Sequence, residues 1–155
     1  MTVETGSSAP DFTLFSEGLK PFTLSNQRGK KVVLLFFPGA FTGVCTNELN
    51  MVTNDIAEYG DNTVIVGIST DSPFALKEFR KANQFAVDLL SDHNASVCAT
   101  YGVKYNNDFT DMKLDRIAKR AAFVIDESGT VVYAEETENA GVLPDMEAIK
   151  AVCNA

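Results

Sequence analysis

Apolar runs alternate with amphipathic stretches along this chain, and the pattern predicts strands that alternate with helices. Residues 31–37 and 62–69 are apolar almost throughout, which is typical of central strands buried on both faces. Shorter strand patterns occupy residues 12–15, 22–24, 87–90, 121–126 and 130–134. Turn residues lie between the first two of these and between the last two, so both pairs are predicted to be hairpins.

Helical patterns separate the strands, and one of them contains a cysteine in its first turn. The helices are predicted over residues 43–58, 73–83, a short stretch ending near 102, and 144–153. In the first helix, a common face carries Cys45, Leu49, Val52, Ile56 and Tyr59. Thr42 is a suitable N-cap. The Cys45 side chain is therefore predicted to point toward the protein body. Residues 103–119 show no clear helical or strand period in their apolar positions.

The order of these elements predicts an α/β fold with a parallel core, an antiparallel edge and helices on both faces. A thioredoxin-like arrangement fits, with a central mixed sheet and the first hairpin as an N-terminal extension. Residues 1–155 show no internal repeat, low-complexity tract or linker, so we expect one domain. In sheets of this kind, sites lie at the carboxyl ends of strands, which is where the loop before Cys45 begins.

Charge and the N-terminal sequence exclude several classes of partner. The formal net charge of −8 argues against nucleic-acid binding, which needs clustered Lys and Arg. Residues 1–10 carry neither the basic nor the apolar segment of a signal peptide. No apolar run approaches the roughly 20 residues of a membrane span. We therefore expect a cytoplasmic protein with reduced cysteines and no membrane association.

The cysteine pattern points to a reactive thiol rather than a metal site. Cys45, Cys98, Cys153 and the single histidine, His93, lie far apart, and the chain has no Cys-x-x-Cys. We therefore expect no metal, no cofactor and no thioredoxin-type disulfide exchange, and we place His93 at the surface. Unpaired amides and the dipole at a helix start favour a thiolate, whereas apolar burial favours the thiol. A nearby guanidinium would be needed to favour the thiolate at Cys45.

The residues around this cysteine resemble the peroxiredoxin signature, which is Pro, three residues, Thr or Ser, two residues, Cys. Here it reads Pro38, Thr42 and Cys45, with no departure. Further family-like blocks lie at residues 9–12, 36–49, 69–74, 89–92, 101–103 and 122–126. The resemblance covers nearly the whole chain with its motifs in register.

The resemblance implies a role for each matching residue. Cys45 resembles the peroxidatic cysteine, whose thiolate attacks a peroxide and becomes a sulfenic acid. Thr42 resembles the hydroxyl that hydrogen-bonds the peroxide, and Pro38 the residue that shields the sulfur. Arg120 resembles the guanidinium that holds the thiolate and the developing negative charge.

Two assignments near Arg120 stay open at the level of sequence. Arg116 and Lys119 are close enough in the chain to replace it if the register is different. Glu48 either orients Arg120 or another site residue, or it is an exposed carboxylate on the helix surface.

The residue that reduces the oxidised Cys45 is also open. Some relatives carry a second cysteine five residues after the first, and here that position is Asn50. Cys98 and Cys153 are candidate resolving cysteines, and core packing is the alternative for each. If neither acts, the mechanism uses one cysteine, as in the bacterial branch near alkyl hydroperoxide reductase E. The reductant is then a thioredoxin-like or glutaredoxin-like protein or a low-molecular-weight thiol.

The resemblance therefore implies a thiol-dependent peroxidase that reduces hydrogen peroxide and organic hydroperoxides. The alternative is a peroxide-sensing or redox-relay protein that uses the same cysteine with little turnover. Members of this family usually dimerise edge to edge, and we expect a homodimer.

Overall fold

The two apolar runs form neighbouring strands at the centre of a seven-stranded sheet in the computed structural model, which describes residues 2–155. The strands are β1 (Thr13–Ser16), β2 (Pro21–Thr23), β3 (Lys31–Phe36), β4 (Thr63–Ser69), β5 (Asp88–Ser91), β6 (Ala121–Ile125) and β7 (Val131–Glu136). Their order is β2-β1-β5-β4-β3-β6-β7. Strands β3, β4 and β5 are parallel, and the other pairs are antiparallel. The predicted mixed sheet is confirmed, and the N-terminal hairpin extends it by pairing with β5.

Four helices cover the sheet, and the first is shorter than predicted. They are α1 (Gly43–Asn54), α2 (Pro73–Asn83), α3 (Ser96–Thr100) and α4 (Met146–Cys153). Two 3₁₀ turns cover Leu24–Gln27 and Ile56–Tyr59. The prediction that one helix runs to residue 58 is wrong, because the tighter 3₁₀ turn that follows Asp55 changes the direction of each side chain. Tyr59 stays buried, but Ile56 is 39% exposed instead of joining the Cys45 face.

Only some of the large apolar residues of α2 are buried. Leu76 and Phe79 are fully buried, whereas Phe74 is 68% exposed. Residues two apart lie on opposite sides of a helix, so Phe74 and Leu76 cannot share the core face. Ser72 caps this helix, since its hydroxyl accepts the amide of Ala75.

The sheet separates two hydrophobic clusters, as expected for a fold with helices on both faces. Leu34 and Phe36 of β3 pack on the side covered by α3. Leu35 and Phe37 pack on the other side, with α1, α2 and α4. Cys45 belongs to this second cluster, so the sulfur is held within the packed side of α1 as predicted.

Strand register brings two distant parts of the chain to one edge of the sheet. β6 runs antiparallel to β3, with Phe36 opposite Ala121. The end of β3 and the start of β6 therefore meet. Pro38 and the loop to α1 follow β3 at this edge, and Arg120 directly precedes β6.

Residues 103–119 form an irregular segment, in agreement with their lack of period. Two isolated bridges hold it, Lys104 to Ala118 and Phe109 to Leu114. The hydroxyl of Thr70 donates to the carbonyl of Arg116 at 2.7 Å and ties the segment to the loop after β4.

Candidate active site

Cys45 lies in the first turn of α1 with a guanidinium against its sulfur. The residue is 1% exposed, and its Sγ lies 3.0 Å from Nη2 of Arg120. Both groups are buried, so the hydrogen bond acts in a medium of low dielectric constant. The guanidinium therefore supplies a charged hydrogen-bond donor to the sulfur.

Arg120 is held on three sides. Besides Cys45, its Nη1 donates to Oε1 of Glu48 at 2.7 Å, and its Nε donates to the carbonyl of Ala140 at 2.9 Å. The residue is 2% exposed. The guanidinium is therefore fixed both in position and in the rotation of its plane.

The two rival cations do not occupy this place. Arg116 is exposed, and Lys119 pairs with Glu136 at 3.5 Å. Arg120, the residue that the resemblance selected, is therefore the cation at this site.

Glu48 is fully buried beside Arg120, so the alternative of an exposed helix carboxylate is wrong. Burial raises the pKa of Glu48 to about 7, and the charge and hydrogen bond of Arg120 oppose part of that rise. Among the described residues, no hydrogen-bond partner meets its Oε2. One guanidinium thus faces both a carboxyl group and the sulfur of Cys45.

Thr42 occupies the N-cap position of α1 but does not cap it through its side chain. Its hydroxyl donates to the carbonyl of Gly39 at 2.8 Å. The preceding residue, Phe41, has φ of 63°, a left-handed conformation that a bulky side chain rarely adopts. This turn presents Thr42 and the first turn of α1 to the same pocket.

Asp71 braces the loop that carries these residues, and the sequence reasoning missed it. Its Oδ2 accepts the amide of Ala40 at 2.9 Å and the hydroxyl of Ser69 at 2.6 Å. It lies in the family-like block at residues 69–74, which was the available signal. The carboxylate fixes the backbone two residues from Thr42.

These residues line one pocket of about 510 Å³. Pro38, Thr42, Cys45 and Arg120 all contribute to it, so the structure brings together the three signature residues and the arginine that the wider resemblance selected. Apolar side chains of the irregular segment also line it, namely Phe109, Met112, Leu114 and Ile117. The pocket therefore combines a polar floor with an apolar wall.

The two other cysteines lie outside this pocket lining. Cys98 packs in the cluster on the opposite face of the sheet, and burial raises the pKa of its thiol to about 12. Cys153 is buried at the end of α4, where burial raises the pKa of the thiol to about 11. All three cysteines are free. His93 is exposed, as predicted.

Residues 2–155 contain neither a metal-binding cluster nor a membrane-spanning helix. No cluster of three or more His, Cys, Asp or Glu side chains is placed to hold a metal ion. No helix in this part of the chain has the length and apolar character needed to cross a membrane.

Comparison with known proteins gives consistent matches. The model of the AhpC/TSA family matches residues 5–134. A thiol peroxidase of Oceanobacillus iheyensis is 35% identical over 150 residues, which are 96% of this chain and 87% of the relative. Alkyl hydroperoxide reductase E of Mycobacterium tuberculosis is 37% identical over 134 residues, which are 84% of this chain and 83% of the relative.

Solved structures agree with this result. The crystal structure of peroxidoxin BcpB from Mycobacterium tuberculosis has a TM-score of 0.83 at 30% identity and covers 97% of this chain and 96% of that one. A peroxiredoxin-like protein from Aquifex aeolicus has a TM-score of 0.89 at 22% identity, covers 99% of this chain and 88% of that one, and shows likeness of fold. The thioredoxin-like fold expected from the sequence is confirmed.

Proposed function

The chain belongs to the AhpC/TSA family of peroxiredoxins and is a thiol-dependent peroxidase, and we propose that Cys45 is its peroxidatic residue. The observation that carries the proposal is the buried hydrogen bond of 3.0 Å from Arg120 to the sulfur of Cys45. It supplies the guanidinium that the sequence reasoning required. We also propose that the chain acts as a single domain, since all seven strands belong to one sheet.

The reaction is a displacement on oxygen. The Cys45 thiolate supplies an electron pair to one peroxide oxygen, an S–O bond forms and the O–O bond breaks. Sulfur is oxidised to the sulfenic acid and the peroxide is reduced. The second oxygen leaves with the bonding pair and takes up a proton to become water or an alcohol.

Arg120 and Thr42 have different roles toward the peroxide. Negative charge starts on sulfur and ends on the leaving oxygen, and the fixed guanidinium of Arg120 stabilises charge along that path. The Thr42 hydroxyl proton is donated to Gly39, so its oxygen remains an acceptor for the O–H of the peroxide. Pro38 is buried beside the reactive sulfur and restricts access of water.

The pocket supports both small and organic peroxides as substrates. Hydrogen peroxide needs only the polar floor formed by Thr42, Cys45 and Arg120. An organic hydroperoxide would also place its carbon chain against the apolar side chains of residues 109–117.

A one-cysteine cycle is the mechanism that the surroundings of the other cysteines favour. Attack on a sulfenic acid needs a thiolate, and burial keeps Cys98 and Cys153 in the thiol form near neutral pH. We therefore propose that an external thiol reduces Cys45. A thioredoxin-like or glutaredoxin-like protein or a low-molecular-weight thiol would serve.

The cellular setting and the assembly are further proposals. Three free cysteines suit a reducing compartment, which supports the cytoplasm. Edge-to-edge dimerisation would use the outer edge of β7, where residues 6–8 already cover the first position through the bond from Val131 to Ser7. A homodimer formed in this way would pair the remaining part of that strand.

The test is a single-turnover oxidation with a sulfenic-acid trap. One equivalent of hydrogen peroxide added to the reduced protein should give a trapped adduct that peptide mapping assigns to Cys45. Cys45→Ser should give no adduct and no peroxidase turnover, whereas Cys98→Ala, the matched control, should behave as the wild type. An adduct on another cysteine would contradict the proposal, and fast oxidation without turnover in any thiol system would favour the peroxide sensor.

A further inference from the structure

A short turn after β7 binds the guanidinium of Arg120 through its Nε. The turn spans residues 137–141, and the carbonyl of Ala140 accepts from Nε of Arg120 at 2.9 Å. It is also tied to the backbone of Arg120, whose carbonyl accepts the amide of Thr137 at 3.1 Å. The turn therefore forms hydrogen bonds with both the main chain and the side chain of Arg120.

The peptide unit between Ala140 and Gly141 is pinned at both ends. Its carbonyl accepts from Arg120, and its amide, which belongs to Gly141, donates to Oδ1 of Asn139 at 2.9 Å. A Cβ at Gly141 would lie 3.1 Å from that same oxygen, so the position is closely fitted to glycine. The Asn139 side chain thus fixes the plane of the peptide whose carbonyl holds the guanidinium.

Thr137 supports the same turn from inside. It is 8% exposed, and its hydroxyl lies 2.9 Å from the carbonyl of Asn139 and 3.2 Å from the carbonyl of Arg120. The single hydroxyl proton is shared between these two acceptors. The hydroxyl therefore links the start of β6 to the turn that binds the Arg120 side chain.

We propose that the turn of residues 137–141 is a positioning element for the catalytic guanidinium, with Thr137 and Asn139 as its positioning residues. The inference rests on the role proposed above for Arg120. The bond to Nε sets the rotation of the guanidinium plane, and that rotation aims Nη1 at Glu48 and Nη2 at Cys45. Neither Thr137 nor Asn139 needs to touch the peroxide to change the rate.

Asn139→Ala is the most direct test, because the residue is exposed and its loss leaves the core intact. Loss of one orienting hydrogen bond should slow single-turnover oxidation of Cys45 by hydrogen peroxide about fivefold, with an unchanged melting temperature. The matched control is Asn62→Ala, since Asn62 is another exposed asparagine that binds a loop carbonyl, that of Gly29 at 2.7 Å. Asn62 precedes β4 and lies at the opposite end of the central strands from Arg120. The Asn62→Ala variant should therefore be oxidised at the wild-type rate.

Thr137 allows positioning to be separated from packing. Thr137→Val keeps the shape of the side chain and removes the hydroxyl, so it should slow oxidation about fivefold. Thr137→Ser keeps the hydroxyl and should retain the rate. A role in packing alone predicts the reverse order, and a wild-type rate in both Thr137→Val and Asn139→Ala would overturn the inference.

A double-mutant cycle shows whether Asn139 acts through Arg120. In an Arg120→Met background, Asn139→Ala should give no further decrease in rate. An equal decrease in the oxidation rate in both backgrounds would mean that the turn does not act through Arg120, and it would contradict the inference. A wild-type rate for Arg120→Met alone would instead contradict the proposed function, so the two failures are distinguishable. If Arg120→Met does not fold, the oxidation rates of the single variants at Asn139 and Thr137 still test the inference.

Discussion

Removal of the Arg120 guanidinium should lower both the rate and the stability, and the structure predicts that the two losses can be separated. Arg120→Met keeps most of the side-chain length and removes every donor. Loss of one preorganised donor to developing negative charge typically slows a reaction by about 10²- to 10³-fold, and we expect that decrease in the peroxide step. Breaking the buried pair also leaves Glu48 without its cation, a change that typically costs about 3–5 kcal/mol.

The second substitution, Glu48→Gln, removes the carboxylate that Arg120→Met leaves unpaired. The double variant should regain most of the lost stability, because its buried groups are then neutral. Its rate should stay as low as that of Arg120→Met, since no cation faces Cys45. Stability and catalysis therefore depend on different bonds of the same guanidinium.

The assay pairs stopped-flow oxidation of Cys45 under single-turnover conditions with urea unfolding followed by circular dichroism. Glu48→Gln alone is the matched control, since it keeps the donor to Cys45. A peroxide rate for Arg120→Met within about threefold of the wild type would refute the electrostatic argument. Recovery of the rate in the double variant would show that Arg120 acts only through folding.

Three further predictions concern pH, packing and the remaining thiols. Burial raises the pKa of Glu48 from 4.5 to about 7, so the folded state holds a proton that the unfolded state releases between these pH values. The free energy of unfolding contributed by this group should therefore fall as pH rises through that window. Urea titrations should show this fall relative to Glu48→Gln; identical slopes would contradict it. Gly67→Ala would place a Cβ 2.9 Å from Cδ2 of Leu89 and should destabilise the protein by about 1–3 kcal/mol in the same assay, and a stabilised variant would be the contrary result. Replacing Cys98 and Cys153 together by alanine should leave the yield of trapped sulfenic acid unchanged by mass spectrometry, whereas a higher yield would identify one of them as a resolving thiol.

The sequence predicts the sheet well because its central strands are marked by unbroken apolar runs. It fails where a local change of geometry redirects side chains, as when the 3₁₀ turn after Asp55 exposes Ile56. The exposure of Phe74 could have been foreseen, since a residue two positions from Leu76 lies on the far side of the helix.

The candidate site is predictable to a similar extent. The family resemblance selected Cys45 and Arg120, which the structure places in contact. Glu48 is three residues after Cys45, so helical spacing alone puts both on one face, and its burial was available from the sequence. The family-like block at residues 69–74 marks Asp71, but neither its hydrogen bond to the loop before α1 nor the turn at residues 137–141 was available, because both depend on hydrogen bonds between loops that no local pattern describes.

The pairing of β3 with β6 sets the point during synthesis at which Cys45 and Arg120 come into contact. The sulfur of Cys45 and the guanidinium that donates to it are 75 residues apart in the chain. A growing chain therefore presents Cys45 without this donor until Arg120 has left the ribosome and β6 has joined the sheet. The site that we propose for peroxide reduction is therefore completed only by this late, long-range step.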